Sequence, residues 1–185
     1  RPRRPRSKTM PKLCLTGGIA CGKSLLSRYL RERGIETLDA DDIVHELIPE
    51  EERRRLAPLV FNNPAARKEL ESRIHPLVKA RLEAFTSAAK PGVPRLAIIP
   101  LLFECKWDAE YDIICCVISD RAKQIARMMQ TRGYTRDEAE ARLSAQMDVA
   151  EKARKSHYVI PNNGTAQELE QEAARFAAWL KERIK

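Results

Sequence analysis

Eight consecutive residues, Gly17-Gly18-Ile19-Ala20-Cys21-Gly22-Lys23-Ser24, follow the pattern G-x-x-x-x-G-K-[ST]. Glycines at such positions let the backbone bend until successive N–H groups converge on phosphate oxygens. A helix starting at the lysine adds the positive end of its dipole. Lys23 can then reach β- and γ-phosphates, and the Ser24 hydroxyl can ligate magnesium. The implied chemistry is binding of a nucleoside triphosphate and transfer of its phosphoryl group. The flanks support this over a chance glycine loop carrying a surface lysine. Lys12–Thr16 is a short apolar run that predicts a strand. From Lys23 to Arg33, Leu25, Leu26, Tyr29 and Leu30 recur at helical spacing, and Gly34 supplies the stop. Cys21, a thiol at a helix N-terminus beside a lysine, is expected to have a lowered pKa and to be reactive. The alternative is a small side chain filling a small slot.

A phosphate loop does not by itself separate kinases from other nucleotide hydrolases. No guanine-reading NKxD segment is present. The stretch Leu38-Asp39-Ala40-Asp41-Asp42 places several carboxylates at the carboxyl end of a second predicted strand, Ile35–Leu38. A kinase acting on a hydroxyl needs an acceptor for its proton in line with the γ-phosphate, and Asp41 is the candidate. Asp39 could cap the following helix or orient the water shell of the metal. Helix capping is the alternative role for the whole cluster.

The elements that must position these residues alternate. Helices are predicted over residues 39–48, 53–61 and 64–89, with Pro76 kinking or dividing the last. Leu96–Leu102 and Ile113–Ser119 are almost continuously apolar, as buried parallel strands are. Helices follow over Asp120–Arg132 and Arg136–Lys155, then a short strand Tyr158–Ile160 and a last helix Gln167–Ile184. The pattern predicts an α/β fold: a parallel β-sheet flanked by helices, with the site at the carboxyl ends of its strands.

The motifs together resemble the dephospho-coenzyme A kinase family of P-loop kinases. LTGGIACGKS (15–24) is followed by DAD (39–41), Ile74-His75-Pro76-Leu77, Pro100-Leu101-Leu102-Phe103-Glu104, Arg142-Leu143-Ser144-Ala145-Gln146 and Val159-Ile160-Pro161-Asn162-Asn163-Gly164. Six short motifs in one order span nearly the whole body of the chain. The resemblance implies ATP-dependent phosphorylation of the ribose 3′-hydroxyl of dephospho-CoA, with ATP and Mg2+ as cofactors. It implies that Gly17 to Ser24 and Leu25 hold ATP phosphates and magnesium, and that Asp41 is the catalytic base. Asp39, His75 and Glu104 fall on the substrate side near the reacting phosphates. Arg142 sits in a lid, and Asn163 and Gly164 lie beside the adenine. It further implies a P-loop nucleoside-triphosphate-binding fold in one domain, 10–185, with core segments 10–48, 92–120 and 156–185. A helical substrate-binding region (49–91) and a lid (121–155) complete it. Taken singly, His75 could shape a helix bend, Glu104 could cap the next segment, and Asn163-Gly164 could form a turn. The lid arginines, Arg127 and Arg132 among them, could line a solvated face. Two features depart from the family. Leu25 and Cys21 stand where a threonine and a small polar residue are usual, and Pro161 replaces a polar residue. Family members also carry a much longer segment where Ile48-Pro49-Glu50-Glu51-Glu52 joins two helices here. The expectation is that a loop is missing at this point, with a shortened link as the alternative.

Composition sets the outer limits. The chain has 185 residues and a net charge of +8 from 34 Lys+Arg against 26 Asp+Glu. Residues 1–9 hold five of those basic residues and no acid, leaving 29 basic against 26 acidic residues in the body. A disordered basic tail over 1–9 is expected, so the charge is weak support for a nucleic-acid-binding ATPase. Related nucleoside or nucleotide kinases are the nearer alternative. Five cysteines without a CxxC argue against a disulfide framework or zinc site. No apolar run is long enough to span a membrane. A cytoplasmic, monomeric enzyme that binds neither nucleic acid nor membrane is expected.

Overall fold

Leu13–Gly17 forms β1, a strand buried at every position, and the rest of the architecture is built outward from it. The computed structural model describes residues 10–184; the expected basic tail, residues 1–9, lies outside them. The other strands are β2 (Glu36–Asp39), β3 (Arg95–Ile98), β4 (Ile113–Ile118) and β5 (Tyr158–Pro161). They form one five-stranded sheet in the order β2-β3-β1-β4-β5. Every neighbouring pair is parallel. The fold class expected from the sequence is the one observed. Pro161 is accommodated because β5 is an edge strand, where a missing donor is tolerated.

Side chains in a strand alternate between faces, and β1 shows why both faces are apolar. Leu13 and Leu15 join a cluster with Leu26 and Leu30 of α1 (Lys23–Glu32) and with Phe176 and Leu180 further along. Cys14 points to a second cluster with Ala97, Ile114, Ile43, Val78 and Leu82. Ile43 belongs to α2 (Ala40–Leu47), and Val78 and Leu82 to α4 (Pro64–Ser87), which follows α3 (Glu50–Asn62). After β4 come α5 (Arg121–Arg132), α6 (Arg136–Ser144) and α7 (Val149–Arg154). The last helix, α8 (Ala166–Arg183), supplies Phe176 and Leu180 to the first cluster. No helix among the described residues is long and apolar enough to cross a membrane.

Three local expectations are revised. Of the two roles read for Pro76, division is not observed: α4 is one helix on both sides of it, with Ile74, Val78 and Leu82 packed on one apolar cluster. Strand β3 ends at Ile98, and the remainder of the apolar run forms turns around Pro100–Lys106, where Lys106 has a positive φ of 58°. The predicted helix over 136–155 divides into α6 and α7, because the Asp148 carboxylate caps a new N-terminus, accepting from Ala150 N at 2.8 Å and Glu151 N at 3.3 Å. Ile48 and Pro49 join α2 directly to α3.

Phe176 is fully buried and meets the ring of Tyr158 at 5.0 Å between centroids. Phe176→Ala removes the fully buried aromatic anchor between α8 and the sheet. It should cost about 3–5 kcal/mol of stability, read as a lower urea midpoint with an unchanged slope.

Candidate active site

The loop between β1 and α1 is held open by bonds to its carbonyls. Gln124 Nε2 donates to Ile19 O at 2.7 Å, Arg127 Nη1 to Ala20 O at 3.2 Å, and Asn162 Nδ2 to Cys21 O at 2.9 Å. In a planar trans peptide the carbonyl and the following N–H point in opposite directions. Three carbonyls held from outside therefore orient the Ala20, Cys21 and Gly22 amides toward the concave side. Of these, Cys21 N–H turns back to Gly18 O at 3.3 Å. The first turn of α1 adds the N–H groups of Lys23, Ser24 and Leu25, which have no acceptor within the helix. The result is a nest of donors suited to phosphate oxygens.

Two glycines are required by close approach as well as by backbone angle. Gly17 has φ 150° and a Cβ there would run into the carbonyl oxygen of Val117. Gly22 has φ 92° and a Cβ there would meet the same Asn162 amide nitrogen that holds the loop. Gly18 is crowded as well, its Cβ position lying 2.7 Å from Gln124 Nε2.

Lys23 curls over the loop, its Nζ donating to Gly17 O at 3.0 Å and Gly18 O at 2.9 Å. Burial lowers its pKa, and the ammonium of Lys152 adds to that, while the Cys21 thiol and the carboxylates of Asp41 and Asp39 oppose it. These groups thus converge at the carboxyl ends of β1 and β2. Asp39 caps α2, its Oδ1 accepting from Asp41 N at 2.9 Å. Burial raises the Asp39 carboxyl, and the neighbouring charges of Asp41 and Asp42 push the same way. The Asp41 carboxylate is exposed and takes part in no hydrogen bond or ion pair among the described residues. The exposed Ser24 hydroxyl is likewise uncommitted, and Leu25 is half-buried against the core.

Of the two readings of Cys21, the slot-filling one is observed. The residue is fully buried, with Gln124 Nε2 3.2 Å from its sulfur. Burial raises its pKa more than Lys23 and the surrounding hydrogen bonds lower it, so desolvation outweighs the helix terminus. It is the small side chain in a slot.

Glu104 follows the turn after β3. Its Oε1 accepts from Lys152 Nζ at 2.7 Å and from Met147 N at 3.1 Å. Its Oε2 is buried without a partner. His75 lies on α4 with its ring edge-on to Trp107, centroids 5.3 Å apart. Arg142, on α6, stacks over the Tyr134 ring at 4.0 Å and donates to Glu138 O at 3.2 Å. Ile19 and Ala20 pack against the small apolar cluster of α5 and α6 that includes Met128, Tyr134 and Leu143, so α5 and α6 rest on the tip of the loop. Asn163 Oδ1 accepts from Asp120 N at 2.8 Å, and its carbonyl accepts from Lys123 Nζ. Gly164 adjoins Glu168 of the capping box at the start of α8.

A family model described as dephospho-CoA kinase matches residues 12–52 and 50–168. The chain belongs to the dephospho-CoA kinase family. A dephospho-CoA kinase of Geobacter metallireducens is 37% identical over 196 residues, covering 92% of this chain and 95% of that protein. One from Symbiobacterium thermophilum is 37% identical over 177 residues, covering 82% of this chain and 73% of that protein. Among solved structures, a dephospho-CoA kinase from Campylobacter jejuni superposes with a TM-score of 0.69 at 25% identity, covering 92% of this chain and 96% of that one. The family match divides at residues 50–52, where the link between α2 and α3 is short. An alignment of 177 residues that covers 82% of a 185-residue chain also leaves positions in the relative without a counterpart here.

Several residues of this dephospho-CoA kinase family member escaped the sequence reading. Asn162, one position before the expected Asn163, carries the bond to the loop. In the sequence Gln124 and Lys152 stand out only as members of charged helices, and Arg127 as a lid arginine or part of a solvated face, not as a residue that holds the loop. Two outcomes check this arrangement. Asn162→Ala frees Cys21 O and removes one bond worth about 0.5–1.5 kcal/mol, so affinity for fluorescently labelled ATP should fall roughly threefold to tenfold. Under native conditions iodoacetamide should label half-buried Cys105 well before buried Cys21, as read by peptide mass mapping.

Proposed function

We propose that this chain transfers the γ-phosphoryl group of ATP to the ribose 3′-hydroxyl of dephospho-CoA, giving CoA and ADP, the last step of coenzyme A synthesis. The observation that carries the reading is the family match on both sides of the short link, 12–52 and 50–168, which takes in the phosphate loop and the substrate side together. The triphosphate lies along the donor nest, with Lys23 leaving its loop carbonyls for the β- and γ-phosphates. Asp41 is the base. Asp39 has one oxygen committed to capping α2, whereas the Asp41 carboxylate is uncommitted and lies within the electrostatic reach of Lys23. Asp41 accepts the 3′-hydroxyl proton as the oxygen attacks the γ-phosphorus in line.

The donors present suit Mg2+, which prefers oxygen ligands and keeps much of its water. Ser24 would hold it beside the nucleotide phosphates, and Asp39 would face its water shell. Bound there, the cation neutralises charge on the phosphate oxygens. Arg142 supplies a lid cation: its stack on Tyr134 is worth only about 0.5–1 kcal/mol at an exposed site, less than pairing with a phosphate. Asn163 and Gly164, beside α5, border the adenine, and His75 faces dephospho-CoA from α4.

The test is ADP release with dephospho-CoA compared with nucleosides and nucleoside monophosphates. Dephospho-CoA should be the acceptor by a wide margin; preference for a nucleoside overturns the substrate reading. Asp41→Asn should lower kcat by about 100-fold to 10,000-fold with labelled-ATP affinity near parental. Near-parental turnover removes Asp41 as base.

A further inference from the structure

Lys152 is fully buried, a rare state for lysine unless it is paired. It sits on α7, a helix whose neighbours in sequence are charged and exposed or partly exposed. Its Nζ donates to Pro100 O at 2.8 Å and pairs with Glu104 Oε1 at 2.7 Å. Pro100 O is also within 3.4 Å of the Thr16 hydroxyl, at the entrance to the phosphate loop. Glu104 Oε1 in turn accepts from Met147 N at 3.1 Å, in the segment that joins α6 to α7. The residue before it, Gln146, accepts the Ile19 N–H of the loop through its Oε1 at 3.2 Å. One ammonium therefore ties together the end of β1, the turn after β3, and the hinge of the lid.

Stability does not account for this arrangement. A buried ion pair can commonly be replaced by well-packed apolar residues without loss, and the surrounding cluster of Leu102, Phe103 and Met147 is apolar. The pair also leaves Glu104 Oε2 buried without a donor, which is a cost in the folded chain alone. That cost is recovered if the oxygen receives a donor when the substrates bind. The Lys152 charge bears directly on Lys23, which places the pair beside the phosphoryl-transfer region.

We infer that Lys152 is a positioning residue for phosphoryl transfer that acts through Glu104. Its ammonium fixes the carboxylate between Pro100 and Met147, which sets the lid hinge over the loop and presents Oε2 to a donor of the bound substrates. The inference rests on the kinase reading above, and concerns how the same site is held.

The experiment is a double-mutant cycle of Lys152→Met and Glu104→Gln. It is followed by ADP release with dephospho-CoA, labelled-ATP binding and thermal melting. Each single variant should lower kcat by about 10-fold to 100-fold, the usual scale for outer positioning partners, with labelled-ATP affinity nearly unchanged. The double variant should be no slower than the slower single, because one residue acts through the other. Additive losses, or parental kcat in either single variant, overturn the inference. If Lys152→Met fails to fold, the double variant, which leaves no buried charge unpaired, decides alone: parental kcat overturns the inference, and a kcat matching Glu104→Gln supports it. If the parent phosphorylates another acceptor instead of dephospho-CoA, the substrate reading fails and the same cycle is scored on that acceptor.

Discussion

A backbone amide can face a phosphate only if the carbonyl on the other side of its peptide is held away from it. In this chain that constraint is met from outside the loop. Gln124 and Arg127 of α5 and Asn162 after β5 take the carbonyls of Ile19, Ala20 and Cys21. The side chains are themselves tied together: Arg127 donates to the Ser119 hydroxyl at 2.9 Å and to Asn162 O at 2.9 Å, and Ser119 donates to Asn162 O at 2.7 Å. The order β1-β4-β5 is therefore more than a way to bury leucines. It brings the ends of β4 and β5 beside the loop, where Val117 excludes a side chain at Gly17 and Asn162 excludes one at Gly22.

The opposite half of the sheet supplies charge. β2 ends on Asp39, and Asp41 follows within the first turn of α2. Lys23 and Lys152 stand between these carboxylates and the turn after β3. Burial lowers one ammonium and raises one carboxyl, so the region pays for its charges in desolvation. A polyanion bound along the loop offsets that cost for Lys23, because Coulomb attraction grows as water is excluded. A bound polyanion is favoured here by the placement of the Lys23 ammonium beside the loop, not by the net charge of the chain.

Sequence and structure agree where the information is local. The loop motif, its flanking strand and helix, the acidic cluster and the alternation of elements were all readable, because each rests on residues a few positions apart. The parts that were not readable depend on distant partners. Gln124 meets Ile19 across 105 positions, and Asn162 meets Cys21 across 141. Lys152 lies in a stretch whose charges are otherwise solvated, so nothing near it in sequence marks it as buried. The lowered pKa considered for Cys21 fails for a related reason: the helix terminus and Lys23 are local and visible, whereas its burial comes from the core cluster with Ile160 and Leu169 and from Gln124 of α5. The break between α6 and α7 could have been found, since Asp148 is a strong capping residue at the point of division.

The short link between α2 and α3 falls where long-range ties are few. Ile48 is buried and ends α2, while α3 keeps most of its described side chains exposed, including Leu59 at 58%. The ion pair recorded on α3, between Arg54 and Glu50, lies within the helix itself. The phosphate loop, in contrast, is bound by side chains from α5, from the segment after α6 and from the end of β5. The family match divides at the short link. The side chains that hold the phosphate loop thus come from elements remote from the point at which the family match divides.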